Sequence, residues 1–246
     1  MVLLGKLAIV TGAGSGIGRA TCRILARDGA KVIAADRNLR AAEQTVKDIG
    51  NDRAFALELD VSSLESVSKG VTSSIEHFKQ PPSIVVNAAG ITRDGYLLKL
   101  TEKDYDDVYK VNLKGTFLMT QQFARAMIEH HVRNGSIINI SSIVARISNP
   151  GQANYAATKA GVISLTEIAA KEFGKFGIRV NSILPGFIDT PMVDVIPEQI
   201  KEEIFRRCPM GRLGRPEEVA DVIAFLACEK SSYVNGAAIE VTGGLK

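Results

Sequence analysis

The sequence predicts an α/β protein of one domain, a doubly wound parallel sheet of about seven strands with helices on both faces. Three observations carry this expectation. Seven short runs are almost continuously apolar and rich in β-branched residues, as strands buried on both faces of a parallel sheet are. Helix-length segments separate these runs, and such alternation marks a layered α/β sheet. The 246 residues fit one domain of this kind and can bury roughly three quarters of the surface the unfolded chain exposes.

In chain order the strand candidates are KLAIVT (6–11), AKVIAA (30–35), AFALEL (54–59), SIVVN (83–87), SIINIS (136–141), IRVNSIL (178–184) and AAIEV (237–241). Helical patterns occupy 17–28, 39–49, 63–79, 102–131 and 153–174. No repeat, low-complexity tract or linker interrupts them. The exception is 187–215, a proline-bounded stretch with a short amphipathic helix of Met192, Val193, Ile196, Ile200, Ile204 and Phe205. It is too long for a simple connection and reads as a lid or binding element.

Composition excludes several function classes. An apolar content of 46% with 23% charged residues is that of an ordinary globular protein. The 30 basic and 27 acidic residues are well mixed, so a net charge of +3 gives no support to nucleic-acid binding. No run approaches the apolar length of a membrane span, and MVLLGKLAIVTG has neither signal-peptide nor presequence anatomy. Cys22, Cys208 and Cys228 are far apart and odd in number, which suits buried thiols in a reduced compartment. His77, His130 and His131 form no ligand spacing with them, so no metal site is expected.

TGAGSGIG (11–18) follows the first strand and opens the first helix. Gly12, Gly14, Gly16 and Gly18, with Ser15 and Ile17 between them, let the backbone turn tightly and bring free helix N–H groups to an anion. Alone, the loop reads equally well as a tight strand–helix turn. Asp36, eighteen residues beyond Gly18 at the end of the second strand, stands where an acid meets adenosine ribose hydroxyls. That position decides for a nucleotide. Arg37 beside it would attract a 2′-phosphate, and its alternative is a solvent-facing charge stacked on adenine. Because the acid holds the strand end and the base lies one residue beyond, NAD(H) is expected over NADP(H). LDV (59–61), with Asp60 and Val61, and NAAG (87–90), with Asn87, Ala88 and Gly90, close the third and fourth strands. Ligands of open α/β sheets bind outside such carboxyl ends.

NYAATKAG (154–161) places Tyr155 and Lys159 four apart, on one face of a helix. The bland alternative is a surface tyrosine beside a solvated lysine. A phenol has a pKa near 10; an ammonium about 4 Å away interacts at roughly 4 kcal/mol with an effective dielectric of about 20. That is about three pKa units, which would bring the phenol near 7, where proton transfer works best. The fifth strand ends in INISS, so Ser142 sits at a carboxyl strand end and can bond a substrate oxygen. Asn112 in VNLKG is either an ordinary helix residue or the holder of a water leading to Lys159. Residues 151–154 read as a capping turn before the tyrosine helix.

TGxxxGIG, NAAG, the set Asn112–Ser142–Tyr155–Lys159, PG (185–186) and VTGG (241–244) together resemble the short-chain dehydrogenase/reductase family over essentially the whole chain. The resemblance implies a Rossmann fold. It implies a nicotinamide cofactor held by the strand ends above, by Tyr155 and Lys159, and by Ile188 and Thr190 after the PG pair. In the family the tyrosine moves a proton, the serine positions the oxygen, the lysine binds ribose and lowers the tyrosine pKa, and the asparagine maintains a water relay. A tetramer built through 102–131 and 153–174 is also implied.

GSIINISS, VNLKG, LPGFI and PMG further resemble the 3-oxoacyl-(acyl-carrier-protein) reductase group, and PPSIVVNAAGIT, VNLKGTFLMTQ and VTGGL resemble still more closely its animal hydroxysteroid-dehydrogenase relatives. These imply a 3-hydroxyacyl or 3-ketoacyl thioester as substrate, with hydroxysteroids secondary. They imply the mitochondrial matrix, or otherwise the cytoplasm, and a homotetramer or a heterotetramer with a second short-chain reductase subunit. Arg133 and Lys171 match basic carrier-docking positions, but Phe176 stands where another base is usual. That favours acyl-CoA, or docking through the second subunit. Two alternatives stay open: a small-carbonyl or polyol dehydrogenase using the same four residues, and a catalytically idle nucleotide-binding subunit. The apolar lid face favours a lipophilic chain over a sugar, and the intact Ser142–Tyr155–Lys159 set argues against idleness.

Overall fold

Each expected strand forms with its ends within one residue of the apolar run: β1 (Leu7–Thr11), β2 (Lys31–Asp36), β3 (Ala54–Glu58), β4 (Ile84–Asn87), β5 (Gly135–Ile140), β6 (Ile178–Pro185) and β7 (Ala238–Val241). The computed structural model describes residues 2–50, 53–194 and 206–246. Among the described residues the α-helices are α1 (Gly16–Arg27), α2 (Leu39–Ile49), α3 (Leu64–Phe78), α4 (Glu102–Tyr109), α5 (Thr116–Glu129), α6 (Val144–Ile147), α7 (Ala153–Phe173), α8 (Pro191–Asp194) and α9 (Pro216–Ala227).

The strands pair in the order β3-β2-β1-β4-β5-β6-β7, all parallel. Side chains along each central strand alternate between two cores. Ala8, Val10, Val32 and Val86 pack with Ile24 and Leu25 of α1 and Val219 and Ile223 of α9. Leu7, Ile9, Ile33 and Val85 pack on the other face with Val67 of α3, Phe123 and Met127 of α5 and Ala170 of α7. Burial of each large side chain contributes about 1.5–3 kcal/mol, so a one-residue register slip, which exchanges the two faces, is strongly disfavoured. Strand order reverses at the neighbouring pair β1 and β4, and a crevice opens there at the carboxyl ends.

Two helical expectations change. The pattern at 102–131 is not one α-helix: Lys110–Gly115 forms a π turn between α4 and α5. The cause is visible at its centre, where Asn112 is fully buried and pairs with the Ile91 backbone. A π turn of this sort adds a residue and redirects one side chain. Helix α9 was not among the expected helices. Its start carries ordinary signals, Pro216 in the first turn and a Glu218 carboxylate accepting from Arg215 N at 2.7 Å.

The expected lid lies partly outside the described residues, as do Ile196, Ile200, Ile204 and Phe205. Its two ends meet: Ile188 and Gly214 form a parallel bridge, and Asp189 N donates to Gly214 O at 2.8 Å. The excursion therefore leaves and re-enters the body at one point. Among the described residues no helix is long and apolar enough to cross a membrane. Cys22, Cys208 and Cys228 are buried free thiols.

Candidate active site

A cavity of about 670 Å³ lies at the carboxyl edge of the sheet, within the size range of ligand sites. Gly12, Ser15, Gly16, Ile17, Gly18, Asp36, Arg37, Asp60, Val61, Ala88, Gly90 and Thr190 all line it, and so do Gly14, Asn38, Ala41 and Met192. Two glycines set its shape. A Cβ on Gly12, whose φ is +64°, would come 3.0 Å from Ala88 O, so only glycine lets the turn lie on the end of β4. A Cβ on Gly18 would come 2.1 Å from Gly12 O, so α1 starts directly against the turn. Gly18→Ala is expected to push the turn off its seat and abolish dinucleotide binding in a fluorescence titration with NADH and NADPH. It should also cost about 3 kcal/mol in urea unfolding, as an overpacked core site does.

Asp36 is half-buried and its carboxylate is already organised. Oδ2 accepts from Gly14 N and Oδ1 from Asn38 N, both at 2.9 Å. An ionised carboxylate offers about four lone-pair sites, so each oxygen keeps acceptor capacity for a hydroxyl donor. Arg37 is exposed next to it. Thr11 was not among the expected site residues; its buried Oγ1 accepts from Ala88 N at 3.1 Å and Ala89 N at 3.2 Å. This hydroxyl ties the end of β1 to the end of β4 beneath the cavity. A polar residue closing an apolar strand was the available signal.

Of the residues expected to hold the cofactor, Asn87, Tyr155, Lys159 and Ile188 do not line the cavity. Asn87 is buried one layer below, where Nδ2 donates to Thr120 Oγ1 at 3.1 Å and Asn139 Oδ1 at 2.8 Å. Asn139 continues the chain to Thr166 Oγ1 at 2.9 Å, so this network joins β4, β5, α5 and α7. Asn87 Oδ1 has no hydrogen-bond partner among the described residues. The Ile188 side chain is 5% exposed and belongs to the apolar core.

Asn112, Ser142, Tyr155 and Lys159 come from the π turn, the end of β5 and one face of α7. Asn112 Oδ1 accepts from Ile91 N and its Nδ2 donates to Ile91 O, each at 2.9 Å. Asn112 Oδ1 and Lys159 Nζ both lie 3.5 Å from the position of a Cβ on Gly90, so Gly90 leaves the two groups facing one space. Ser142 Oγ accepts from Val144 N at 3.2 Å, which fixes the turn after β5. Asn154, expected only as part of a capping turn, is fully buried and donates to Arg93 O at 2.9 Å. It thereby fastens the start of the tyrosine helix to the loop after β4. A buried asparagine in a helix's first turn was the signal.

The electrostatics differ from the sequence expectation. Lys159 Nζ lies 5.6 Å from the centre of the Tyr155 ring and donates to Ile140 O at 2.7 Å. Burial pushes the Tyr155 hydroxyl up to about 12, the Ser142 hydroxyl pulls it back, and Asp94 adds to the rise. Tyr155 is only partly buried, and water moderates the effect. Lys159 is 4% exposed, and burial pushes its ammonium down to about 8. The anticipated drop of the phenol toward 7 treated only the attraction between two charges. Desolvation acts against both charged forms and here outweighs it.

The chain matches the family profile described as enoyl-(acyl carrier protein) reductase over residues 12–246. A solved structure described as a short-chain type dehydrogenase/reductase from Mycobacterium marinum superposes with a TM-score of 0.93 at 31% identity, covering 99% of this chain and 96% of that one. The chain belongs to the short-chain dehydrogenase/reductase family. It is an oxidoreductase of that family and uses a nicotinamide cofactor, for which the glycine cradle and the carboxylate at the end of β2 are suited in shape and chemistry. Among curated relatives, rat "(3R)-3-hydroxyacyl-CoA dehydrogenase" is 52% identical over 99% of this chain and 97% of its own length. A 3-oxoacyl-[acyl-carrier-protein] reductase from Thermotoga maritima is 45% identical over 100% of this chain and 99% of its own.

Proposed function

We propose that the protein transfers hydride between NAD(H) and a 3-hydroxyacyl or 3-ketoacyl thioester. The observation that carries this reading is the cluster behind the cavity wall at Gly90, where Asn112 and Lys159 face one space, Lys159 lies by the Tyr155 ring and the Ser142 hydroxyl meets Tyr155, in a chain half identical to (3R)-3-hydroxyacyl-CoA dehydrogenases. Bound nicotinamide supplies or accepts the hydride. The remaining work falls to this chain. In reduction, Tyr155 Oη donates a proton to the carbonyl oxygen while Ser142 Oγ hydrogen-bonds the same oxygen. In oxidation, the tyrosinate takes the hydroxyl proton. Lys159 binds the ribose and stabilises the tyrosinate, and Asn112 keeps a water path open beside Gly90. A phenol held above neutral pKa is protonated at pH 7, the form required for reduction.

NAD(H) is favoured over NADP(H) because Asp36 presents negative charge where a 2′-phosphate would sit, while its oxygens can accept from ribose hydroxyls. Acyl-CoA is the favoured carrier, since exposed Phe176 stands where the carrier-protein reductases it resembles usually have a base, beside the matching positions Arg133 and Lys171. Tyr105, Tyr109, Phe117 and Ile168 are exposed on α4, α5 and α7, which supports a tetramer built on these helices, with identical subunits or a second short-chain reductase. The mitochondrial matrix is the proposed compartment, by resemblance to the animal branch.

A steady-state screen of NADH and NADPH with acetoacetyl-CoA, estrone and small ketones tests this. Acetoacetyl-CoA with NADH should give the highest kcat/KM, at least tenfold above the NADPH value. Tighter binding of NADPH than NADH would reverse the cofactor assignment and point to Arg37. NADH binding without turnover of any substrate would identify an idle subunit.

A further inference from the structure

The turn under the cavity is held from behind by side chains that the proposed chemistry does not use. Arg19, directly after the last glycine of the loop, folds back so that its Nη2 donates to Gly14 O. Its Nε donates to Thr45 Oγ1 at 3.2 Å. Thr45, fully buried on α2, donates to Ala13 O at 2.8 Å. Two successive carbonyls of the turn are thus gripped from outside by one linked pair of side chains.

A trans peptide unit points its N–H opposite to its C=O, and no peptide bond in the described residues is cis. The unit whose carbonyl Thr45 holds presents Gly14 N, which donates to Asp36 Oδ2 at 2.9 Å. The unit whose carbonyl Arg19 holds presents the amide of Ser15, a residue of the cavity wall. A cation on a carbonyl oxygen also makes the amide of the same unit a better donor. Only glycine lets the turn lie this close to α2 and the carboxylate, because a Cβ on Gly14 would come 2.7 Å from Ala41 Cβ and 2.8 Å from Asp36 Oδ2. Geometry at the Asp36 carboxylate and at the Ser15 amide is therefore set from a guanidinium on the far side of the turn.

We infer that Arg19, acting with Thr45, is a positioning residue for the dinucleotide, aiming the Ser15 amide and the Asp36 carboxylate at its adenosine diphosphate half. This rests on the reading of the cavity as a nicotinamide dinucleotide site. Loss of one charge-assisted bond in such a clamp should weaken binding about tenfold.

The test measures NADH dissociation by fluorescence, ADP-ribose as a competitor, and KM for acetoacetyl-CoA in Arg19→Met, Arg19→Lys and Thr45→Val. Arg19→Met should raise the dissociation constants of NADH and ADP-ribose by the same factor, about tenfold. Arg19→Lys should recover part of this loss and Thr45→Val should show a smaller one. KM for acetoacetyl-CoA should move less than twofold in each. Equal binding of NADH by wild type and all folded variants overturns the inference. So does failure of Arg19→Met to fold while the other two bind NADH like wild type, which makes Arg19 structural. Wild-type protein that binds neither NADH nor ADP-ribose refutes the cofactor reading instead.

Discussion

Replacing Tyr155 with phenylalanine is expected to lower kcat/KM for acetoacetyl-CoA reduction by about 10³-fold, within the range for loss of a general acid. The ring is retained, so packing against Ile143 and Val144 persists and the protein should unfold within about 1 kcal/mol of wild type. What is lost is the phenol hydroxyl beside Ser142, the proposed proton donor. With the hydroxyl pushed up to about 12, wild-type Tyr155 is almost wholly protonated at pH 7, and no other phenol shares its helix face. NADH affinity should change less than threefold, which separates proton transfer from cofactor binding. A Tyr155→Phe protein within tenfold of wild type would remove the tyrosine from the mechanism.

Lys159→Met is expected to reduce turnover by a similar factor and to make the protein more stable. The ammonium is buried with burial as the cause of its fall to about 8 from 10.5. At 1.36 kcal/mol per unit, the charged lysine costs about 3 kcal/mol at neutral pH. Methionine fills a similar volume without a charge. It forfeits the charge-assisted bond to Ile140 O, about 2 kcal/mol, leaving a net gain of about 1 kcal/mol. The sign follows from the direction of the shift. Below pH 8 both folded and unfolded lysine are protonated and the full cost is present. Between 8 and 10.5 the unfolded chain binds the extra proton, so stability rises with pH and the gain from methionine fades. Urea unfolding of both proteins at pH 7 and pH 10 measures this. If Lys159 acts as proposed, the same fall to about 8 predicts that wild-type reduction declines above that pH, which a pH–rate profile checks. A destabilised Lys159→Met protein at pH 7 would show that the lysine is compensated in the fold.

Much of this arrangement was legible in residue order. Parallel strands buried on both faces need continuous apolar runs, so LAIVT and GSIINI announced themselves. A turn that must touch the end of β4 admits only glycine, so Gly12 and Gly18 were legible too. The spacing of Tyr155 and Lys159 placed them on one helix face. Asn112 was ambiguous because an asparagine in a helical pattern looks alike whether it faces solvent or opens a π turn against Ile91. Thr11, Arg19, Thr45 and Asn154 were passed over because each acts on backbone atoms far from it in sequence or hidden within a turn.

Sequence by itself determined the layered sheet, the glycine turn, the acid at the end of β2 and the residue types of the active site. Those follow from local rules of burial, turn geometry and helical period. Only the tertiary structure decided where charge is stable. Lys159 turns its ammonium to the Ile140 carbonyl, and burial holds both it and Tyr155 toward their neutral forms. Desolvation depends on every atom packed around a group, and those atoms come from β5, the π turn and the loop after β4, which only folding brings together.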